Sequence, residues 1–185
     1  MTTAADPAYS HPESVTFKLD LPKAIARFAK DENRFIHTAK TRVATKPFTF
    51  ELQGDMCTAG INESEFGEGK KKTTSYSIGI SLEEPDVEFL NTLTTEFEDF
   101  CHAGGITDID ISSPVRDDDR LYLKLKTDHS GKNFNFKTNI NVTPKKYSEA
   151  ANSDKLTFIG EITGWVNLES NKAGLSLTPK RVVFD

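Results

Sequence analysis

The stretch LTFIGEI, residues 156–162, alternates apolar side chains with residues of other kinds. Leu156, Phe158 and Ile162 fall on one side of this alternation, and Gly160 lies in phase with them. Because successive side chains of a strand point to opposite faces, this spacing predicts a β-strand with one buried face. The stretch therefore indicates a chain built from half-buried strands.

Similar alternation occurs on both sides of this stretch, in short segments separated by polar turns. These segments are 15–19, 48–52, 76–82, 109–111, 121–125, 134–142, 175–177 and 182–184. Many short strands with turns between them are typical of barrels and sandwiches. The sequence therefore predicts a mainly β fold.

One amphipathic helix is predicted at about residues 85–103. Pro85 opens it, and acidic residues crowd its first turn, where the helix dipole favours negative charge. An apolar stripe follows at helical spacing, and Gly104 and Gly105 end the pattern. A second, short helix is predicted near the N-terminus, after Asp20, which can cap it.

A single prominent helix among many strands favours a small OB-like antiparallel barrel in the mainly β (α+β) class. A β-sandwich is the alternative architecture that the same strand pattern allows. The chain of 185 residues is expected to hold one β-rich domain at residues 14–185, after a disordered tail at 1–13.

The sequence also predicts where the protein resides. No apolar run approaches the ~20 residues of a transmembrane helix, and the N-terminal residues lack the basic and apolar regions of a signal peptide. Cys57 and Cys101 fit either one disulfide or two reduced thiols, and reduced thiols are the simpler expectation. We therefore expect an intracellular protein, cytoplasmic or nuclear, which for a viral protein means inside the host cell.

Charge is strongly segregated along the chain, although the formal net charge is only −5. Residues 83–119 hold 1 basic and 12 acidic residues, whereas residues 120–185 hold 11 basic and 6 acidic residues. One interpretation is that the acidic segment is only a solvated helix with its flanking loops, but this leaves the basic C-terminal third unexplained. We predict that the acidic segment lies away from any surface that binds phosphates, because the Debye length at physiological salt is about 8 Å.

No arrangement of residues for catalysis or cofactor binding stands out. The glycine-rich stretch at 67–70 lacks the spacing of a phosphate-binding loop, and Lys71 stands where that motif needs Ser or Thr. The four histidines are scattered, and the acidic run at 117–119 lacks the order of a calcium loop. No nucleophile elbow or catalytic triad is evident. The sequence therefore predicts no enzyme activity, no catalytic or metal-binding residues and no cofactor.

The one pattern in the sequence that indicates a function is the alternation of basic and aromatic residues on predicted strands. Binding of unpaired bases needs flat π faces for stacking and cations along the phosphates. The candidate residues for binding single-stranded nucleic acid are Tyr122, Trp165, Phe134, Phe136, Lys70, Lys71, Lys72, Arg120, Lys124, Lys137, Lys145, Lys146, Lys180 and Arg181.

Tyr122 and Trp165 are the strongest aromatic candidates. Each lies out of phase with the apolar residues of its own strand, so each is predicted to face away from the core and to be partly exposed. Alternating Phe residues such as Phe134 and Phe136 are more typical of a core. The run at 70–72 is predicted to be a flexible basic tip that adds affinity without specificity.

The C-terminal part of the sequence resembles the closing hairpin of the single-stranded-DNA-binding proteins of phages and large eukaryotic DNA viruses. The resemblance is carried by LTFIGEITGWVN at 156–167, KAGLSL at 172–177 and RVVF at 181–184. A strand that ends in a Gly-Trp step and Asn is followed there by a Gly-containing strand with a Val-Val pair. The resemblance implies an oligonucleotide-binding barrel with a prominent helix, without enzyme activity or cofactor.

We therefore expect a non-enzymatic protein that binds single-stranded DNA or RNA, with DNA favoured, and that supports replication or recombination. It would act away from membranes, as a homodimer or with replication proteins as further partners. The alternative is a β-sandwich structural or assembly protein of a virus, since short strands, polar loops and few cysteines fit both. Oligomer size separates the two, because a capsid protein assembles and a strand binder stays small.

Overall fold

The computed structural model describes residues 12–30, 35–69 and 72–185. The chain divides into two units: unit 1 holds the described residues up to 50 with 85–115 and 161–176, and unit 2 holds 51–84, 116–160 and 177–185. The predicted tail lies outside the described residues as far as position 11, and Pro12–Ser14 forms a short 3₁₀ helix. The expectation of one β-rich domain over 14–185 stays a prediction.

Strands dominate the described residues. In chain order the elements are β1 (Val15–Lys18), α1 (Leu21–Phe28), β2 (Ile36–Val43), β3 (Lys46–Pro47), β4 (Thr49–Met56), β5 (Asn62–Phe66), β6 (Thr73–Ser81), α2 (Glu84–Ala103), β7 (Asp110–Ser112), β8 (Arg120–Leu125), β9 (Lys137–Thr138), a 3₁₀ helix (Ser148–Asn152), β10 (Lys155–Asn167) and β11 (Lys172–Phe184). Strands β4, β10 and β11 each contribute residues to both units.

The predicted mainly β (α+β) class is confirmed, and both helices lie where the sequence places them. The helix expected at 85–103 begins one residue earlier and ends as predicted. Asp20 caps α1, because its carboxylate accepts a hydrogen bond from the Lys23 N–H at 3.0 Å. The strands form an open, mainly antiparallel sheet, so closure into an OB-like barrel is not confirmed.

In unit 1, α2 packs against one face of the sheet that β1, β2 and β10 form. Phe97 of α2 is fully buried, and a side chain at Gly164 of β10 would overlap its ring. The same ring lies 4.7 Å from that of Phe17 on β1, centroid to centroid. Alternate residues of these strands therefore point away from α2, to the opposite face of the sheet.

Two further apolar contacts within unit 1 fix the ends of α2. Near its start, the Phe89 ring stacks on that of Phe50 at 5.2 Å. Beyond its last turn, the Leu21 side chain of α1 fills the space beside Gly104 that a side chain there would need. The helix is thus held along its length by apolar contacts within unit 1.

Unit 2 is built around β6. This strand pairs antiparallel with β5 and with β8, and its last two residues pair with β4. Strand β8 alternates as predicted: Leu121, Leu123 and Leu125 are buried, and Arg120, Tyr122 and Lys124 are exposed. Its apolar face therefore belongs to the core of unit 2, and its polar face meets solvent.

Residues 134–142, which alternate like a strand, contribute only the two residues of β9. Asn139 accounts for the difference. Its side-chain amide donates to the Phe184 carbonyl at 2.7 Å and accepts from the Phe184 N–H at 2.8 Å. A side chain thus takes the hydrogen bonds that a neighbouring backbone would otherwise form with β11 at this position.

Substitution of Gly164 tests the packing of α2. Gly164→Ala should destabilise the protein by about 1–3 kcal/mol, because the added methyl overlaps the Phe97 ring. Thr163→Ala is the matched control, since it lies on the other face of β10, and its cost should stay below about 1 kcal/mol. Urea denaturation followed by circular dichroism measures both, and equal costs would contradict this packing.

Asp86 should make stability depend on pH. It is buried in the first turn of α2, and burial raises the pKa of its carboxyl from 3.8 to about 6. Because the folded-state pKa exceeds the unfolded one, its contribution is fully present below about pH 4 and is lost as pH rises through 6.

The expected result is that Asp86→Asn raises the free energy of unfolding at pH 7 by about 1–2 kcal/mol and changes it little at pH 4. Glu88→Gln, an exposed position on the same helix, is the control. It should change the free energy of unfolding by the same amount at both pH values. Chemical denaturation at pH 4, 5.5 and 7 measures the difference. A pH profile unchanged by Asp86→Asn would refute the assignment.

Candidate nucleic-acid interface

Trp165 lies on the sheet face of unit 1 that points away from α2. Along β10 it alternates with the buried Gly164 and Val166, as predicted, and it is half-buried. Its backbone neighbour on β2 is Thr38. A side chain at Gly174 of β11 would come within 3.1 Å of the indole ring. The ring therefore rests against the β11 backbone, and its position is fixed by the fold.

Two lysines face each other on the same face of the sheet. Lys18 on β1 is directly opposite Lys40 on β2, and Lys40 is directly opposite Thr163 on β10. Both lysines are exposed, and both point to the face that carries Trp165. Like charges directly opposite in a sheet are destabilising, so an anion bound between them would relieve repulsion. We call Trp165, Thr38, Thr163, Lys40 and Lys18 the Trp165 face.

A groove of about 210 Å³ borders this face. Lys40, Arg42 and Pro47 line it on the β2 and β3 side, and Glu161 lines it on the β10 side. The guanidinium of Arg42 donates to the Thr45 carbonyl at 2.8 Å. Glu161 is thus an acidic group in the groove that Lys40 also lines.

Tyr122 of unit 2 is exposed as predicted, with 36% of its surface accessible. Its ring passes over Gly79 of β6, where a side chain would come within 3.0 Å of it. The guanidinium carbon of Arg116 lies over the ring, 4.6 Å from its centroid. Arg120, on the same face, pairs with Asp118 at 3.2 Å. One face of the ring is therefore already covered by Arg116, and the charge of Arg120 is partly offset by Asp118.

Phe134 is buried, with 8% of its surface accessible, so it belongs to the core of unit 2 and does not present a stacking face. Its ring stacks on that of the half-buried Phe136 at 5.4 Å and meets the edge of Tyr76 at 5.2 Å. Tyr147 also contacts Tyr76, and its hydroxyl donates to Glu63 at 2.7 Å, a bond that raises the pKa of this tyrosine.

The lysines and arginines predicted to bind nucleic acid differ in their neighbours. Lys137 on β9 is directly opposite Arg181 on β11. The remaining exposed ones are Lys124, Lys145, Lys146 and Lys180. Lys72 pairs with Glu65 at 3.1 Å, so its charge is partly offset. Lys70 and Lys71 lie outside the described residues, and the flexible tip stays a prediction.

The acidic segment at 83–119 is divided by the fold. Within unit 1, α2 carries many of its carboxylates and lies behind the sheet, on the side away from Trp165. The run at 117–119 follows Arg116 in unit 2, and Asp118 pairs with Arg120. Its separation from Lys124, Lys137 and Lys145 stays a prediction.

Sequence reasoning missed four cations, Lys18, Lys40, Arg42 and Arg116. Strand β2 reads IHTAKTRV, and its buried positions are filled by Ala39 and Thr41, which give no apolar alternation. The alternation of Lys40 and Arg42 with these small residues was the available signal. The pairing of Lys18 with Lys40 depends on strand register, which a single segment does not reveal.

Within the ranges 12–30, 35–69 and 72–185, no group of three or more His, Cys, Asp and Glu side chains could hold a metal ion. Both cysteines are free, and burial raises the pKa of the Cys101 thiol to about 11. That thiol is therefore a poor nucleophile at neutral pH.

No helix in the described part of the chain combines the length and the apolar character needed to cross a membrane.

No family model matches the chain, and neither the curated proteins nor the solved structures contain a match to it. The resemblance of the C-terminal hairpin to viral single-stranded-DNA-binding proteins therefore stays a prediction, and the case for a function rests on the geometry of the Trp165 face.

Proposed function

We propose that this protein binds single-stranded nucleic acid, DNA in the first place, through the Trp165 face of unit 1. It does so without catalysis, as a protein that covers single strands during replication or recombination. The observation that carries the proposal is a half-buried indole fixed on the sheet face that also carries the cross-strand pair Lys18 and Lys40.

The indole supplies the contact with a base. Stacking of one base on an aromatic side chain is worth about 1–3 kcal/mol and tolerates any sequence, since every base has a π face. Bases in a duplex are already stacked on each other, whereas those of a single strand are free to stack on a protein ring. Trp165 therefore favours single strands over duplexes.

The lysines supply the contact with phosphates. Lys18 and Lys40 stand on neighbouring strands, which lie about 4.8 Å apart. A phosphate between them would remove their mutual repulsion and release counterions from the strand, which strengthens binding at low salt. Lys40 is directly opposite Thr163, two residues along β10 from Trp165, so one bound strand can run along this face from the ring to the lysines.

The net charge of −5 does not oppose this binding, because the acidic residues of α2 lie behind the sheet. Packed layers of secondary structure are about 10 Å apart, and the Debye length at physiological salt is about 8 Å. Their repulsion is therefore largely screened at the Trp165 face. Glu161 borders the groove itself, and Asp110 of β7 lies on the same face, because it is directly opposite Lys172, two residues along β11 from Gly174.

Replacement of Trp165 tests the stacking contact. Trp165→Ala should weaken binding of a fluorescently labelled oligothymidine by about 1–3 kcal/mol, and Trp165→Phe should retain most of the affinity because a ring remains. Since the indole is only half-buried, the alanine variant should lose less than the about 3–5 kcal/mol of stability that a core Trp would lose.

The chain holds one Trp, so its fluorescence reports on this face alone. Oligonucleotide should quench that emission in the unmodified protein. If neither quenching nor a loss of affinity on Trp165→Ala is observed, the stacking role is wrong. Light scattering in the same samples then tests the alternative function. Assembly into large particles would support a structural or assembly protein.

Charge changes on the same face test the phosphate contact. Lys40→Ala should lower the slope of log Kd against log salt by about 0.7, the value for one contact with a single strand. Glu161→Gln should strengthen binding about twofold by removing an acidic group at the groove. Lys23→Ala, an exposed lysine of α1, is the control and should leave the slope unchanged. An unchanged slope for Lys40→Ala would exclude that lysine from the site.

A further inference from the structure

Residues 129–148 of unit 2 form a basic segment that contains no Asp or Glu. Its four lysines are all exposed, and they are Lys132, Lys137, Lys145 and Lys146. A run of this length with four positive and no negative charges produces a positive local field. The net charge of the whole chain does not reveal this field. We call residues 129–148 the basic segment.

Strand pairing adds a further cation to it. Lys137 of β9 is directly opposite Arg181 of β11 in a parallel pair, so both side chains point to the same side. Both are exposed, and no acidic side chain of the described residues forms an ion pair with either. Two cations on neighbouring strands repel each other, and this repulsion is relieved when an anion binds between them.

The backbone on both sides of Lys137 is held in place by the fold. On one side of Lys137, the Phe134 ring is buried between Phe136 and Tyr76. On the other side, Asn139 forms two hydrogen bonds with the backbone of Phe184. Anchors on both sides restrict the backbone that carries Lys137, so less freedom is lost when a ligand binds.

The start of the basic segment is anchored as well. The Asp128 carboxylate accepts hydrogen bonds from the Asn133 side chain at 2.9 Å, from the Ser130 hydroxyl at 2.8 Å and from the Lys132 N–H at 3.1 Å. This acidic group is thus engaged in the turn that positions Lys132, and its hydrogen bonds lower its pKa to about 2.

We propose that the basic segment, together with Arg181, binds phosphates of single-stranded nucleic acid and makes no contact with its bases. Its Phe134 ring is buried and stacks on Phe136, so we assign to the segment contacts with phosphates and not with bases. Unit 1 would then supply base stacking, and unit 2 would supply contacts to the phosphates that do not depend on sequence. The identity of the ligand rests on the proposed function.

The variant Lys137→Glu separates a binding role from a structural one. It replaces a repelling cross-strand pair by an attracting one, so the melting temperature should rise by about 1–3 °C. Binding of oligothymidine should nevertheless weaken about threefold to tenfold, and the salt slope should fall by about 0.7–1.4. Lys23→Glu, an exposed position on α1, makes the same charge change and should leave the binding unchanged.

Abasic strands distinguish the two surfaces. A strand of abasic phosphodiesters keeps every phosphate and has no base to stack. Lys137→Glu should weaken binding of abasic and base-bearing strands by the same factor, whereas Trp165→Ala should weaken only the base-bearing strand. Neutral methylphosphonate strands should bind equally to Lys137→Glu and to the unmodified protein. Inorganic polyphosphate, added as a competitor, should displace the abasic strand if phosphate charge alone is recognised.

Failure of the inference differs from failure of the proposed function. If oligothymidine binds and Lys137→Glu changes neither affinity nor salt slope, the basic segment takes no part and the inference is overturned. If the unmodified protein binds no single strand but binds polyphosphate in a manner that Lys137→Glu weakens, the phosphate site stands and the proposed function is wrong. Binding to neither ligand overturns both.

Discussion

The contact between the Phe97 ring and the backbone at Gly164 is the constraint on which the site depends. Because the ring occupies the space of a side chain at Gly164, α2 must lie on that face of β10. Strict alternation along β10 then directs Trp165 to the opposite face. The register of β2 against β10 brings Lys40 opposite Thr163, and the register of β1 brings Lys18 opposite Lys40. One buried contact and two strand registers thus position both the ring and the cations.

The same contact explains how an acidic chain can present a basic surface. The carboxylates of α2 are on the helix that covers the back of the sheet. They therefore belong to the same unit as the Trp165 face but lie on the opposite side of the sheet. Average charge is therefore a poor guide to what the face attracts, since the local arrangement of charges decides binding. Glu161, on β10, is the acidic residue at the edge of the groove.

Features that repeat within one segment could be predicted from the sequence. The apolar stripe of α2, the cap at Asp20, the alternation of β8 and the phase of Trp165 each lie within a few residues. Features that depend on distant partners could not be predicted. The amide of Asn139 interrupts an apparent strand by bonding to Phe184, and the Lys18–Lys40 pair exists only through register. Barrel closure is such a long-range property too, and it is not confirmed.

Exposure alone is a poor criterion for choosing between the two predicted stacking residues. Tyr122 is the more exposed, but the Arg116 guanidinium already lies over its ring, so a base stacking there must displace or share that contact. Trp165 is half-buried because its ring rests on the backbone at Gly174. A ring already fixed in place loses little conformational freedom when a base stacks on it, so more of the stacking energy is available for binding. Its partial burial therefore favours Trp165 as the platform, because burial is what holds the ring in position.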